Sequence, residues 1–256
     1  MIRIINRKEV YEYKHYKEIE IYPVYSGSHK RVRCEKRKES KKSQKELNKR
    51  NRIKKILRLL RDNFCKKDFF VTLTYSEKNV PKTVDGAQED YKQFMRALRK
   101  AYSDAGKTLK YMAWVEKGVE KGRLHHHLVV SGGIDREVFE ELFQKGFVTV
   151  RKLKPELDDF LSLAEYFAKE PKGKRTFTCS KNLSRTALVP KVVENNKTSK
   201  QEIKAIIENF EDKEWFEKKY PGYEPVFCDI RKNEYSRHSY IYLTLRKKGC
   251  YDYDFA

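Results

Sequence analysis

The sequence predicts an α+β fold, an antiparallel sheet with flanking helices, with basic amino-terminal and carboxy-terminal extensions. Three observations predict it. Between residues 68 and 171 the periodicities run strand, helix, strand hairpin, helix, strand, helix, the order of helices packed on an antiparallel sheet. The chain is rich in aromatics, with 17 Tyr and 14 Phe, so it can build a real core although 37% of its residues are charged. The charge is lopsided: residues 1–67 hold 23 Lys and Arg against 8 Asp and Glu, the remainder 35 against 29. The expected organisation is a basic amino-terminal region with a helix (1–67), a core (68–171) and a carboxy-terminal extension (172–256).

Residues 1–30 carry Tyr, Ile and Val in short alternating patches, including Ile19, Ile21 and Val24, which suit one or two strands. A charge run follows from Lys30 to Lys42. Ser43 and Glu46 have capping-box spacing at the head of a helix to about Phe64. Its Ile53, Ile56, Leu57, Leu60 and Phe64 recur at helical spacing, interleaved with Arg50, Lys54, Lys55, Arg58 and Arg61. Phe69 to Tyr75 is a dense run of strand formers. Residues 86–104 place Tyr91, Phe94, Met95, Leu98 and Tyr102 on one helical stripe. Leu109–Glu116 and Leu124–Ser131 read as a strand hairpin around Gly118 and Gly122. A short helix (135–145), a short strand (147–150) and a helix (157–169) stopped by Pro171 complete the core. Beyond it come a polar loop (172–198), a helical stretch (199–219) and a hairpin (226–246).

A net charge of +21 calls for a polyanionic partner. No apolar run approaches the roughly 20 residues of a membrane span, so nucleic acid is the expected partner rather than a membrane. The five cysteines, Cys34, Cys65, Cys179, Cys228 and Cys250, are scattered and never form Cys-x-x-Cys, which points to a reducing cytoplasm. Gly106-Lys107-Thr108 looks like the tail of a phosphate-binding loop, but Ala101 stands where that loop needs glycine.

The chemistry concentrates in three places. On a strand, His125 and His127 point to one face and Leu124, His126, Leu128 and Val130 to the other. Two imidazoles side by side begin a metal site, and Glu116 on the preceding strand comes roughly opposite one of them. Such a set leaves open positions on Mg²⁺ or Mn²⁺ for phosphate oxygens. His126 is expected to be a buried neutral histidine. Tyr166 lies off the apolar stripe Leu157, Phe160, Leu161, Ala164 and Ala168, sharing a polar face with Asp159, Ser162 and Lys169. Arg50, Lys54, Lys55, Arg58 and Arg123 are candidate phosphate contacts.

In this order these features resemble the HUH endonuclease superfamily, in its replication-initiator branch. The strand motif is matched by Val71-Thr72-Leu73-Thr74-Tyr75, the metal histidines by His125 and His127, the added carboxylate by Glu116, and Tyr-x-x-Lys by Tyr166 and Lys169. His126 departs from the bulky apolar residue usual between the histidines. Ser180-Lys181-Asn182-Leu183 looks like a Ser-Arg-Asn-Leu element of phage-type relatives. The resemblance implies a sheet core related to ferredoxin-like and RNA-recognition folds. It further implies metal-dependent nicking and rejoining of single-stranded origin DNA, with Tyr166 joined to the new 5′ phosphate. Origin duplex DNA, a host helicase and a host polymerase would be partners, in a bacterial cytoplasm. Glu170, one turn beyond Tyr166, leaves no second tyrosine. Two other readings remain open: a relaxase or single-tyrosine transposase of the same superfamily, or a non-enzymatic DNA-binding regulator.

Overall fold

The computed structural model describes residues 3–26, 42–117, 124–169, 177–191, 197–232 and 238–250. In chain order, strands β1 (Arg3–Tyr13) and β2 (Tyr16–Ser26) precede helix α1 (Lys42–Asn63). Strand β3 (Phe69–Tyr75), helix α2 (Val84–Asp104) and strands β4 (Tyr111–Lys117) and β5 (Leu124–Val130) follow. Next come α3 (Arg136–Leu142), β6 (Gly146–Lys152), α4 (Pro155–Asp158), α5 (Leu161–Phe167) and the two-residue strand β7 (Thr178–Cys179). Helices α6 (Lys200–Glu208) and α7 (Lys213–Lys219) and strands β8 (Tyr223–Lys232) and β9 (Ser239–Lys247) complete the described chain. The architecture is α+β with two antiparallel sheets, as the sequence predicts.

The chain divides into two compact units, one of residues 43–184 with 253–256 and one of residues 1–42 with 185–252. This differs from the expected segments 1–67, 68–171 and 172–256. Helix α1 belongs with the core, and the two extensions are one folded body. Its sheet has the order β1-β2-β9-β8, with Ile21 opposite Ile241 and Tyr16 opposite Arg246. Val10, Ile19, Ile21, Ile241, Leu243 and Leu245 form its core with Ile206 of α6 and Phe216 of α7. The helical stretch expected over 199–219 is broken, because Asp212 starts a new helix by accepting the Trp215 amide at 3.0 Å.

The core unit holds a five-stranded sheet, order β6-β3-β5-β4-β7. Alternation in β3 decides its two faces. Phe69, Val71, Leu73 and Tyr75 are buried with Phe94, Met95, Leu98 and Tyr102 of α2 and Phe139 of α3. Thr83 caps α2 by accepting the Gly86 amide at 3.1 Å. The opposite face carries Phe70, Thr72 and Thr74. Glycine at 146 is required where β6 meets β3, since a Cβ there would lie 2.0 Å from the Thr74 carbonyl oxygen. The Ser180–Leu183 element is structural: Ser180 Oγ accepts the Tyr111 amide at 3.1 Å, and Asn182 donates to the Leu109 carbonyl at 3.1 Å. These contacts and β7 hold the chain on the sheet edge beside β4.

Candidate active site

The site lies on the sheet face away from α2. In the β3–β5 register Thr72 stands opposite His127 and Thr74 opposite His125. Directly opposed antiparallel residues share a face, and the side chains meet. Thr72 Oγ1 lies 3.1 Å from His127 Nδ1, and Thr74 Oγ1 lies 3.0 Å from His125 Nδ1. The two imidazoles are neighbours, their ring centroids 6.1 Å apart. On the other side of β5, Trp114 is opposite His127 and Glu116 opposite His125. The register therefore places Glu116 in the row that the sequence assigns to it, although its side chain lies outside the described residues. Arg123, Gly118, Gly122 and Glu170 also fall outside them, as does the side chain of Ser43 in the expected capping box.

Aromatic rings wall the site. Trp114 stacks on His127 with centroids 4.9 Å apart, and Phe70 does so at 5.8 Å. Helix α5 brings Tyr166 over this wall, its ring edge-on to Trp114 at 5.1 Å and to His127 at 5.4 Å. The decisive contact is the Tyr166 hydroxyl, 3.1 Å from His127 Nε2. A hydrogen on Nδ1 satisfies this arrangement: Nδ1–H donates to Thr72, and the Nε2 lone pair accepts from the phenol. Lys169 Nζ lies over the Tyr166 ring, 4.1 Å from its centroid. His125, His127, Tyr166 and Lys169 are thus brought together, with Glu116 across from His125 in the backbone register.

The donor chemistry fits a divalent cation. Both imidazoles have Nδ1 engaged by a hydroxyl, the arrangement by which metal-binding histidines are commonly oriented. Among the described residues no three His, Cys, Asp or Glu side chains converge as a metal site, and the third expected ligand, Glu116, is not among the side chains described.

His126 points to the other face, as expected, and is fully buried. Its Nε2 accepts from the Tyr75 hydroxyl at 3.0 Å, and Tyr91 stacks on it at 5.3 Å. Burial pushes its pKa down to about 4. The buried Tyr75 is thereby unavailable as a nucleophile.

The tyrosine helix departs from expectation. A continuous helix over 157–169 is replaced by α4 and α5, separated by Asp159 (φ 54°) and Phe160 (φ 67°) in left-handed conformation. That conformation is costly for a residue such as Phe. Two arginines of α1 hold α5 at its ends. Arg61 pairs with Asp159 at 2.7 Å in a buried contact, and Arg52 donates to the Ala168 carbonyl at 3.0 Å. Asp159 consequently does not share a polar face with Tyr166. The stripe also shifts: Phe160, Ala164, Phe167 and Ala168 are buried, whereas Leu161 is exposed.

The basic face of α1 needs a further correction. Arg58 is only 6% exposed and is not a surface phosphate contact. Lys55 is exposed, Lys54 half-buried, and the half-buried Arg50 lies 3.6 Å from Glu46.

Sequence reasoning missed Thr72, Thr74, Trp114 and Phe70 as site residues. The available signal was the strand alternation that sets Phe70, Thr72 and Thr74 opposite to Val71 and Leu73.

Residues 68–171 match a family model of replication-associated proteins, the ORF2 type. The match covers about two fifths of the chain and contains the whole site, from the Thr72–Thr74 strand to Lys169. No curated protein and no solved structure matches the chain. Among the described residues no helix is long and apolar enough to cross a membrane.

Proposed function

We propose that this protein is a replication initiator that nicks single-stranded DNA, with Tyr166 as nucleophile and His125, His127 and Glu116 as ligands of Mg²⁺ or Mn²⁺. The observation that carries this reading is the Tyr166 hydroxyl held 3.1 Å from His127 Nε2 on the face shared by both histidines, within the segment similar to the ORF2-type replication-associated proteins.

A divalent cation at this site would supply Lewis acidity to the scissile phosphate and a template for its oxygens. The protein's own groups do the rest. Thr72 and Thr74 fix the ring orientations of His127 and His125. Trp114 and Phe70 exclude water from one side of His127. A free phenol has a pKa near 10, so Tyr166 must lose its proton as it attacks, and the cation of Lys169 over its ring favours the developing negative charge. The Tyr166 oxygen forms a bond to phosphorus, the P–O3′ bond breaks in line with it, and the departing oxygen takes a proton to become a 3′-OH. That 3′-OH can prime a host polymerase, with strand separation left to a host helicase. The phosphotyrosine stores the bond energy, so attack by a 3′-OH rejoins ends without ATP.

The test is to incubate the full chain with a random-sequence single-stranded DNA library and Mn²⁺, and to seek protein–DNA adducts that survive SDS. An adduct mapped to Tyr166 by mass spectrometry is expected. Absence of any adduct with Mg²⁺ or Mn²⁺, or an adduct at another residue, overturns the assignment.

A further inference from the structure

The site face continues beyond the histidines to the edge of the sheet. In the β3–β6 register Phe147 lies opposite Thr74, Thr149 opposite Thr72 and Arg151 opposite Phe70. These residues belong to the same face as His125 and His127. Phe147 is 68% exposed, the most exposed of the large hydrophobic side chains among the described residues. An exposed aromatic on an edge strand is an aggregation hazard that folded proteins usually blunt. Here it is retained, two strand spacings, or about 10 Å, from His125. Its surroundings are basic: residues 145–154 contain Lys145, Arg151, Lys152 and Lys154 and no acid. Arg151, Lys152 and Lys154 are exposed.

The geometry points to Phe147 as a stacking platform for a base of the substrate strand, with Arg151 contacting a phosphate along the same strand. This rests on the nicking reading above for its polarity. Tyr166 contacts Trp114 of β4 and His127 of β5, whereas β6 lies on the other side of the histidine row, beyond β3. An in-line displacement puts the leaving oxygen opposite the nucleophile. The segment that departs with the 3′-OH therefore runs from the histidines toward β6. Phe147 stacks a base 5′ of the nick, while the 5′-phosphate segment stays with Tyr166. A stacked aromatic suits single-stranded nucleic acid because every base offers a π-face.

Binding is measured in EDTA by fluorescence anisotropy, using a fluorescein-labelled mixed-sequence 20-nucleotide single strand and the Tyr166→Phe full chain, so that no cleavage is needed. Phe147→Ala should weaken binding about tenfold. Phe147→Trp should restore it, and Phe147→Leu should behave like alanine, because the aromatic face and not apolar bulk is required. Arg151→Gln should lower the slope of log affinity against log salt by about one, and Phe147→Ala should leave that slope unchanged. Affinity within twofold of the parent for Phe147→Ala, or full rescue by leucine, overturns the platform. So does a wild-type dimer in sedimentation that Phe147→Ala dissolves, because the ring would then serve self-association. Once adducted sequences are known, 2-aminopurine immediately 5′ of the cleaved phosphate should be quenched in the parent and not in Phe147→Ala. Quenching only 3′ of it overturns the polarity. Failure to form any adduct defeats the nicking reading alone, because the binding arm uses no metal and no tyrosine hydroxyl.

Discussion

At the residue scale, the hydroxyl groups around His127 divide the labour. Tyr166→Phe removes one oxygen and keeps the ring that packs edge-on to Trp114. The lost hydrogen bond costs about 1 kcal/mol, so urea unfolding should change little while the SDS-stable adduct disappears. Thr72→Val removes only the partner of His127 Nδ1. Loss of such an orienting group ordinarily weakens metal binding about 10- to 100-fold. Isothermal titration with Mn²⁺ should show that loss for Thr72→Val and for Thr74→Val, and recovery for Thr72→Ser. Equal Mn²⁺ affinity in Thr72→Val would mean that the hydroxyl does not orient the ring. The sequence made His125, His127 and Tyr166 legible as a set because strand alternation and helix phase are local. Trp114 and the threonine hydroxyls were not, because they enter the site only through inter-strand register, which alternation alone does not specify.

At the element scale, α5 is only seven residues long (Leu161–Phe167), too short to persist without tertiary support. Arg61 and Arg52 supply that support from α1. Breaking a buried ion pair by removing one partner costs about 3–5 kcal/mol. Arg61→Met should therefore lower stability on that order in urea titration and slow adduct formation. A companion Asp159→Asn should recover part of the stability, since Asn tolerates the left-handed backbone and leaves no lone charge. The helical period of α1 was legible, but not the use of its arginines. A basic helix face looks the same whether its charges meet phosphate or an internal carboxylate. Lys55→Gln and Arg58→Met separate the two. Loss of the exposed Lys55 should reduce the salt slope of DNA binding by about one, whereas loss of the buried Arg58 should reduce stability and leave the slope alone. A changed slope with unchanged stability in Arg58→Met would restore Arg58 to the DNA surface.

At the scale of the whole molecule, the core of residues 68–171 was legible and the flanks were not. The core strands follow one another with short connections, so periodicity implies the order of the sheet. The flanking sheet joins Ile21 to Ile241, and no local pattern predicts which partner a strand will take so far along the chain. The strands at 1–30 and 226–246 were each visible as strands, yet they looked like separate extensions because neither has a hydrophobic face large enough to close by itself.

That pairing sets an order of events during synthesis. The unit that carries the site is contiguous between residues 43 and 184, and it is encoded as an insertion inside the other. A ribosome delivers β1 and β2 first and their partner β9 last, at roughly 5–20 residues per second. The β1–β2 hairpin therefore waits through production of the entire intervening unit before its edge is covered. The catalytic unit can complete its own contacts in the meantime, while the waiting hairpin presents an unpaired strand edge to the chaperones and neighbouring chains around it.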